Sequence, residues 1–141
     1  MNTTSNNKKG KRLFNFLGIL QVFIALGAIP AGIGFITDPS GTNNCMSTDL
    51  LAASPFDDFL IPGLFLLIIN GLGNSIASVF SFQRKKVADV LAMFFGFILI
   101  LWIVLQVWWI GYATFLQPFY LIVGIIEFMA GLKIYKRSRL R

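Results

Sequence analysis

Apolar positions fill this chain in two long blocks, and polar positions gather at their borders. Three basic clusters mark those borders: Lys8, Lys9, Lys11 and Arg12; Arg84, Lys85 and Lys86; and Lys133, Lys136, Arg137, Arg139 and Arg141. A helix crossing a bilayer needs about 20 mostly apolar residues, and each block is roughly twice that length. Each block therefore reads as an out-and-back helical hairpin. The positive-inside rule puts all three clusters on the cytoplasmic side. The expected fold is all-α: a four-transmembrane-helix bundle built from two hairpins, with both termini inside.

Local signals divide the blocks. The expected helices cover about 13–36, 60–82, 87–110 and 119–135, with an outer loop at 37–59. Basic cytoplasmic tails at 1–12 and 136–141 complete the chain, the first expected to be disordered. Asp38-Pro39-Ser40-Gly41 has the residues a type I turn favours. Ser47 is placed to cap a short surface helix reaching Ala53. Pro62 falls in the first turn of helix 2 and Pro118 opens helix 4, positions where a missing N–H costs little. Trp108, Trp109 and Tyr112 close helix 3 as an interfacial aromatic belt. Asp89 suits the N-terminal dipole of helix 3, and Asp57 and Asp58 that of helix 2. The echo between Phe59-Leu60-Ile61-Pro62 and Phe115-Leu116-Gln117-Pro118 reads either as shared helix-start chemistry or as a parallel repeat.

Composition narrows the chemistry. The chain has 141 residues, 56% hydrophobic, with a mean hydropathy of +0.74. That is membrane composition. The net charge of +6 suits a lipid-headgroup boundary and not nucleic acid, because the cations flank apolar spans. The first apolar run is too long for a signal-peptide core, so an uncleaved first helix is expected. Cys45 stands alone, so no intramolecular disulfide can form, and histidine is absent. Haem, zinc and histidine general-base chemistry thereby lose their usual ligand. No cofactor or metal is expected. The outer-loop carboxylates Asp38, Asp49, Asp57 and Asp58 lack an ordered ligand spacing, and Cys45 reads as a spectator.

Small and polar residues carry helix association in lipid, and each expected helix has such a stripe at helical spacing. The stripes are Asn15, Gly18, Gln21, Ala25, Ala28 and Gly32; Gly63, Asn70, Asn74, Ser78 and Ser81; Ala88, Ala92, Gly96 and Gln106 with Leu99 and Ile103 between; and Tyr120, Gly124, Glu127, Gly131 and Tyr135. Glu127 stands out. It falls about 12 Å below the outer start of helix 4 by helical rise, and Asn70 about 15 Å below that of helix 2. Gln21 falls about 12 Å above the inner start of helix 1. An intramembrane charge costs about 2.5–3.5 kcal/mol on the insertion scale, reduced by protonation or by amide hydrogen bonds. The candidate intramembrane polar site is Glu127 with Asn70, Asn74, Gln21 and Gln106. Two readings stay open: a proton- or cation-coupling acid in a polar pocket, or a neutral acid that fastens helix 4 to helix 2.

The segments Asp38–Gly41, Ser54–Phe65, Trp109–Gly111 and Leu116–Pro118 resemble those of a small family of bacterial four-helix integral membrane proteins without an assigned activity. The overall plan is distantly similar to the DoxX-like proteins. The resemblance implies a four-helix fold and a bacterial cytoplasmic (inner, plasma) membrane location, and carries no activity. Small multidrug-type exporters have a similar size, but their transport acid is in the first helix and Glu127 is in the fourth. The leading expectation is a small non-enzymatic accessory or interaction subunit, partnered by the lipid bilayer and by a second copy or another membrane protein. A small oligomeric transporter or channel subunit using Glu127 is the first alternative. A membrane enzyme acting on lipid or quinone is the second.

Overall fold

Four helices long and apolar enough to cross a membrane make up the computed structural model, which describes residues 2–139. They are α1 (Asn2–Thr37), α2 (Leu60–Phe82), α3 (Ala88–Ile110) and α4 (Leu116–Arg139). Helix α1 packs on α2 and α3 packs on α4, while contacts of α1 with α4 and of α2 with α3 close the ring. Both hairpins are antiparallel. Gly32 lies against Gly63 and Leu67, and Gly18 lies against Phe82. Gly124 lies against Gly96 and Ile100, and Gly131 against Ala92. Such close approach is what small residues allow between helices in lipid. The protein is a multi-pass membrane protein with the expected four-helix bundle.

The stripes are the buried seams. Gly63, Asn70, Asn74, Ser78 and Ser81 are all buried along α2. Gly18, Gln21, Ala25, Ala28 and Gly32 are buried on α1, and Asn15 alone of that stripe is exposed. The opposite faces present large apolar side chains such as Leu26, Ile68, Phe97 and Ile122 to the surroundings, as lipid-facing surfaces do.

Three boundaries differ from the expectation. First, 1–12 is not a disordered tail within the described residues: α1 starts at Asn2 and continues unbroken to Thr37. Its 36 residues span about 54 Å by helical rise, well beyond a hydrocarbon core of about 30 Å. Once the apolar part is helical, adding residues at its end needs no new nucleus. The Arg137 side chain also donates to the backbone oxygen and Oδ1 of Asn6, at 2.9 and 3.1 Å, which ties the extension to α4. Second, α4 continues through the basic segment to Arg139, with Lys136, Arg137 and Arg139 in the last turn, where the dipole favours cations. The expected tail at 136–141 is helical as far as Arg139, and its last two residues lie outside the described range. Third, α4 begins at Leu116, ahead of Pro118. The Gln117 carbonyl Oε1 accepts from the N–H groups of Ala113 and Thr114, and Thr114 Oγ1 accepts from the Leu116 N–H. The arrangement is related to a Thr-x-x-Gln capping box, with the Thr114 hydroxyl on the Leu116 N–H in place of that of Gln117.

The loop between α1 and α2, expected on the outer side, is folded. Short 3-10 turns occupy Thr42–Asn44 and Thr48–Leu51, and Ser47 Oγ accepts from the Asp49 N–H as a cap. The expected helix to Ala53 is thus one 3-10 turn. Leu51, Phe35 and Phe59 form a small core of their own. Phe59 stacks on Phe35 with centroids 4.8 Å apart, and Phe56 meets Trp109 edge-on at 5.5 Å. Pro62 and Pro118 each occupy the third position of their helix, a placement common to both readings of the echo.

Candidate functional site

The expected polar pocket is divided into two layers. In the inner layer, Gln21 Nε2 donates to Glu127 Oε1 at 3.1 Å, and Ser81 Oγ donates to Gln21 Oε1 at 2.7 Å. All three side chains are fully buried. Glu127 is therefore joined to α1, and through Gln21 to α2. It is not joined to Asn70. The reason is depth: Ser81 lies at the end of α2 nearest the basic clusters, about three helical turns beyond Asn70. Glu127 Oε2 has no hydrogen-bond partner.

The outer layer surrounds a cavity of about 390 Å³. Its polar lining residues include Asn70, Trp102, Gln106 and Tyr120, with Thr114 and Gln117 near the start of α4. Ile24, Leu99 and Ile103 supply apolar wall, and Asn44 and Met46 of the outer loop also line it. Gln21, Asn74 and Glu127 are not among the lining residues. Asn70 is 1% exposed, and neither its Oδ1 nor its Nδ2 has a partner. The Trp102 indole, stacked on Phe65 with centroids 4.4 Å apart, also has an unpaired Nε1–H. Natural interiors pair almost all such atoms, so three orphans around one cavity mark it out.

Local backbone explains Asn70's position. The middle of α2, Leu66–Gly73, is a π-helix. A π segment widens the helix, is rare, and is frequent at functional sites. The Asn74 Nδ2 donates back to the Asn70 carbonyl at 3.0 Å, and Ser75 Oγ to the Gly71 carbonyl at 2.8 Å. Asn74 Oδ1 is left unpaired and buried between the two layers. On the facing helix, Asn44 Nδ2 donates to the Ala31 carbonyl at 2.9 Å, and Gly34 leaves room for that side chain.

The sequence points to Gln21 as an amide partner for Glu127, and the structure makes that bond. Ser81, the third member, is not evident from sequence, although it stands on the correct stripe. Trp102 is not evident either, because its aromatic character alone points to core packing. For Gln117, the Thr114-x-x-Gln117 spacing is the available signal. The loop carboxylates act locally. Asp58 Oδ1 accepts from the Leu60 N–H at the start of α2, and Asp38 is held inside its own turn. Asp89 Oδ1 accepts from the Val90 N–H in the first turn of α3. Among the described residues, no three His, Cys, Asp or Glu side chains are grouped so as to hold a metal ion. Cys45 is free and exposed.

No known protein family, no curated protein and no solved structure matches this chain. Its two polar layers therefore carry the functional reading.

Proposed function

We propose that this multi-pass membrane protein is a small non-enzymatic accessory or interaction subunit of a bacterial cytoplasmic membrane, with both termini in the cytoplasm. The observation that carries the reading is the use made of the buried acid Glu127 in the inner layer. Glu127 is joined to Gln21, and Gln21 to Ser81, so that α4, α1 and α2 share one hydrogen-bonded clasp. That is a cohesive role, and it sits apart from the cavity. The basic clusters at one end of the bundle support the orientation.

A second reading rests on a different atom. Glu127 Oε2 has no partner, and an intramembrane acid with a free oxygen is the usual coupling group of a small transporter. Glu127→Gln separates the two. For an accessory subunit, the variant keeps the fold and the same co-purifying membrane partner, and purified protein in vesicles shows no proton- or cation-driven flux before or after the change. Flux in the native protein that disappears in a well-folded Glu127→Gln variant would replace the accessory reading with transport.

A further inference from the structure

We propose that the outer-layer cavity is a binding site for a small, neutral, membrane-soluble molecule carrying a carbonyl oxygen. The cavity volume of about 390 Å³ falls within the range of small-molecule sites, about 300–1,000 Å³. None of its lining residues carries a charge, so an ionic ligand would lose its hydration with nothing to replace it. The unpaired groups specify the ligand's chemistry. Trp102 Nε1 can only donate, and Asn70 Nδ2 donates as well. Asn70 and Trp102 both line the cavity, two unpaired donors there ask for an acceptor, and a carbonyl oxygen has two lone pairs. Asn70 Oδ1 remains to accept from a hydroxyl or amide on the same molecule. The placement is built into the backbone, because the π segment carries Asn70 and the Phe65 stack fixes the Trp102 ring. The outer loop covers the site with Met46 and Asn44. This assignment is independent of the role of Glu127, which does not line the cavity.

Photolabelling tests it. The full-length protein in phosphatidylcholine vesicles is irradiated with benzophenone, a neutral aryl ketone that inserts readily into methionine, and the crosslinks are mapped by mass spectrometry. The expected result is saturable labelling at Met46 and neighbouring cavity residues, displaced by excess methyl benzoate. Trp102→Phe keeps the stacked ring and removes the N–H, and should weaken half-saturation about three- to tenfold, the worth of one hydrogen bond. Asn70→Leu should weaken it similarly. Should Asn70→Leu fail to fold, Trp102→Phe still decides. Labelling that rises linearly with probe and falls on lipid-facing Leu26, Ile68 and Phe97 would mean a cavity filled by water alone, and overturns the proposal. Saturable cavity labelling with unchanged half-saturation in Trp102→Phe overturns the carbonyl assignment.

Discussion

A glutamine amide offers an acceptor at one end and two donors at the other, and Gln21 uses both ends on different helices. Gln21→Ala leaves Ser81 Oγ and Glu127 Oε1 without their partners in a fully buried layer. The expected loss is about 1–3 kcal/mol, read by steric-trap unfolding in bicelles. A double-mutant cycle with Glu127→Ala should return a coupling of about 0.6 kcal/mol, the average measured for hydrogen bonds between membrane helices, and at most about 1.7 kcal/mol. Additive effects would mean that the 3.1 Å contact contributes nothing to cohesion. At Gly96 the limiting contact is backbone. A Cβ there would lie 2.7 Å from the Phe128 nitrogen and 2.9 Å from the Gly124 oxygen. Gly96→Ala must push α3 and α4 apart, at about 1–3 kcal/mol, and a variant as stable as the native protein would refute the close packing of those helices.

Among the elements, the N-terminal extension of α1 and the outer loop were the least legible from sequence, for opposite reasons. The extension is polar, with no apolar stripe to announce a helix, and its order depends on the membrane-embedded helix it continues and on Arg137 reaching Asn6. The outer loop hid a small aromatic core, because Leu51, Phe56 and Phe59 are scattered without a period. Each element yields a test. Gly10 has open space around it, and a Cβ added there would meet nothing within 4 Å. Gly10→Ala should stabilise the extension by about 0.5–1 kcal/mol, seen as slower amide exchange over residues 6–14. Unchanged, fast exchange there would mean the extension is not helical in solution. In the loop, Asp38 accepts from the Ser40 hydroxyl and the Asn43 N–H, which hold its carboxyl below the ordinary 3.8. A lowered value means that the ionised form supports the turn. That support is fully present above pH 3.8 and is lost as pH falls through the lower folded value. Protection of the Asn43 amide against exchange should fall only in that acid range, and Asp38→Asn should remove this pH dependence.

For the whole molecule, the seams were legible because small and polar residues at helical spacing have few other uses inside a membrane. The division of the polar residues into two layers was not legible. Counting rise along isolated helices puts Gln21, Asn70 and Glu127 at similar depth, but it cannot anticipate the π segment in α2 or the relative shift of packed helices that joins Gln21 to Ser81. Orientation is the remaining property at this scale, and the chain carries its own probe. Cys45 is the lone cysteine, exposed in the loop between α1 and α2, while Ser138 is exposed at the opposite, basic end of α4. With the basic clusters inside, a membrane-impermeant maleimide added to intact spheroplasts should label Cys45 fully. In the double variant Cys45→Ser/Ser138→Cys it should label nothing until the membrane is permeabilised. The reverse pattern would invert the topology. It would also place the covered mouth of the cavity, with Met46 and Asn44, on the cytoplasmic side, so that its ligand would arrive from the inner leaflet.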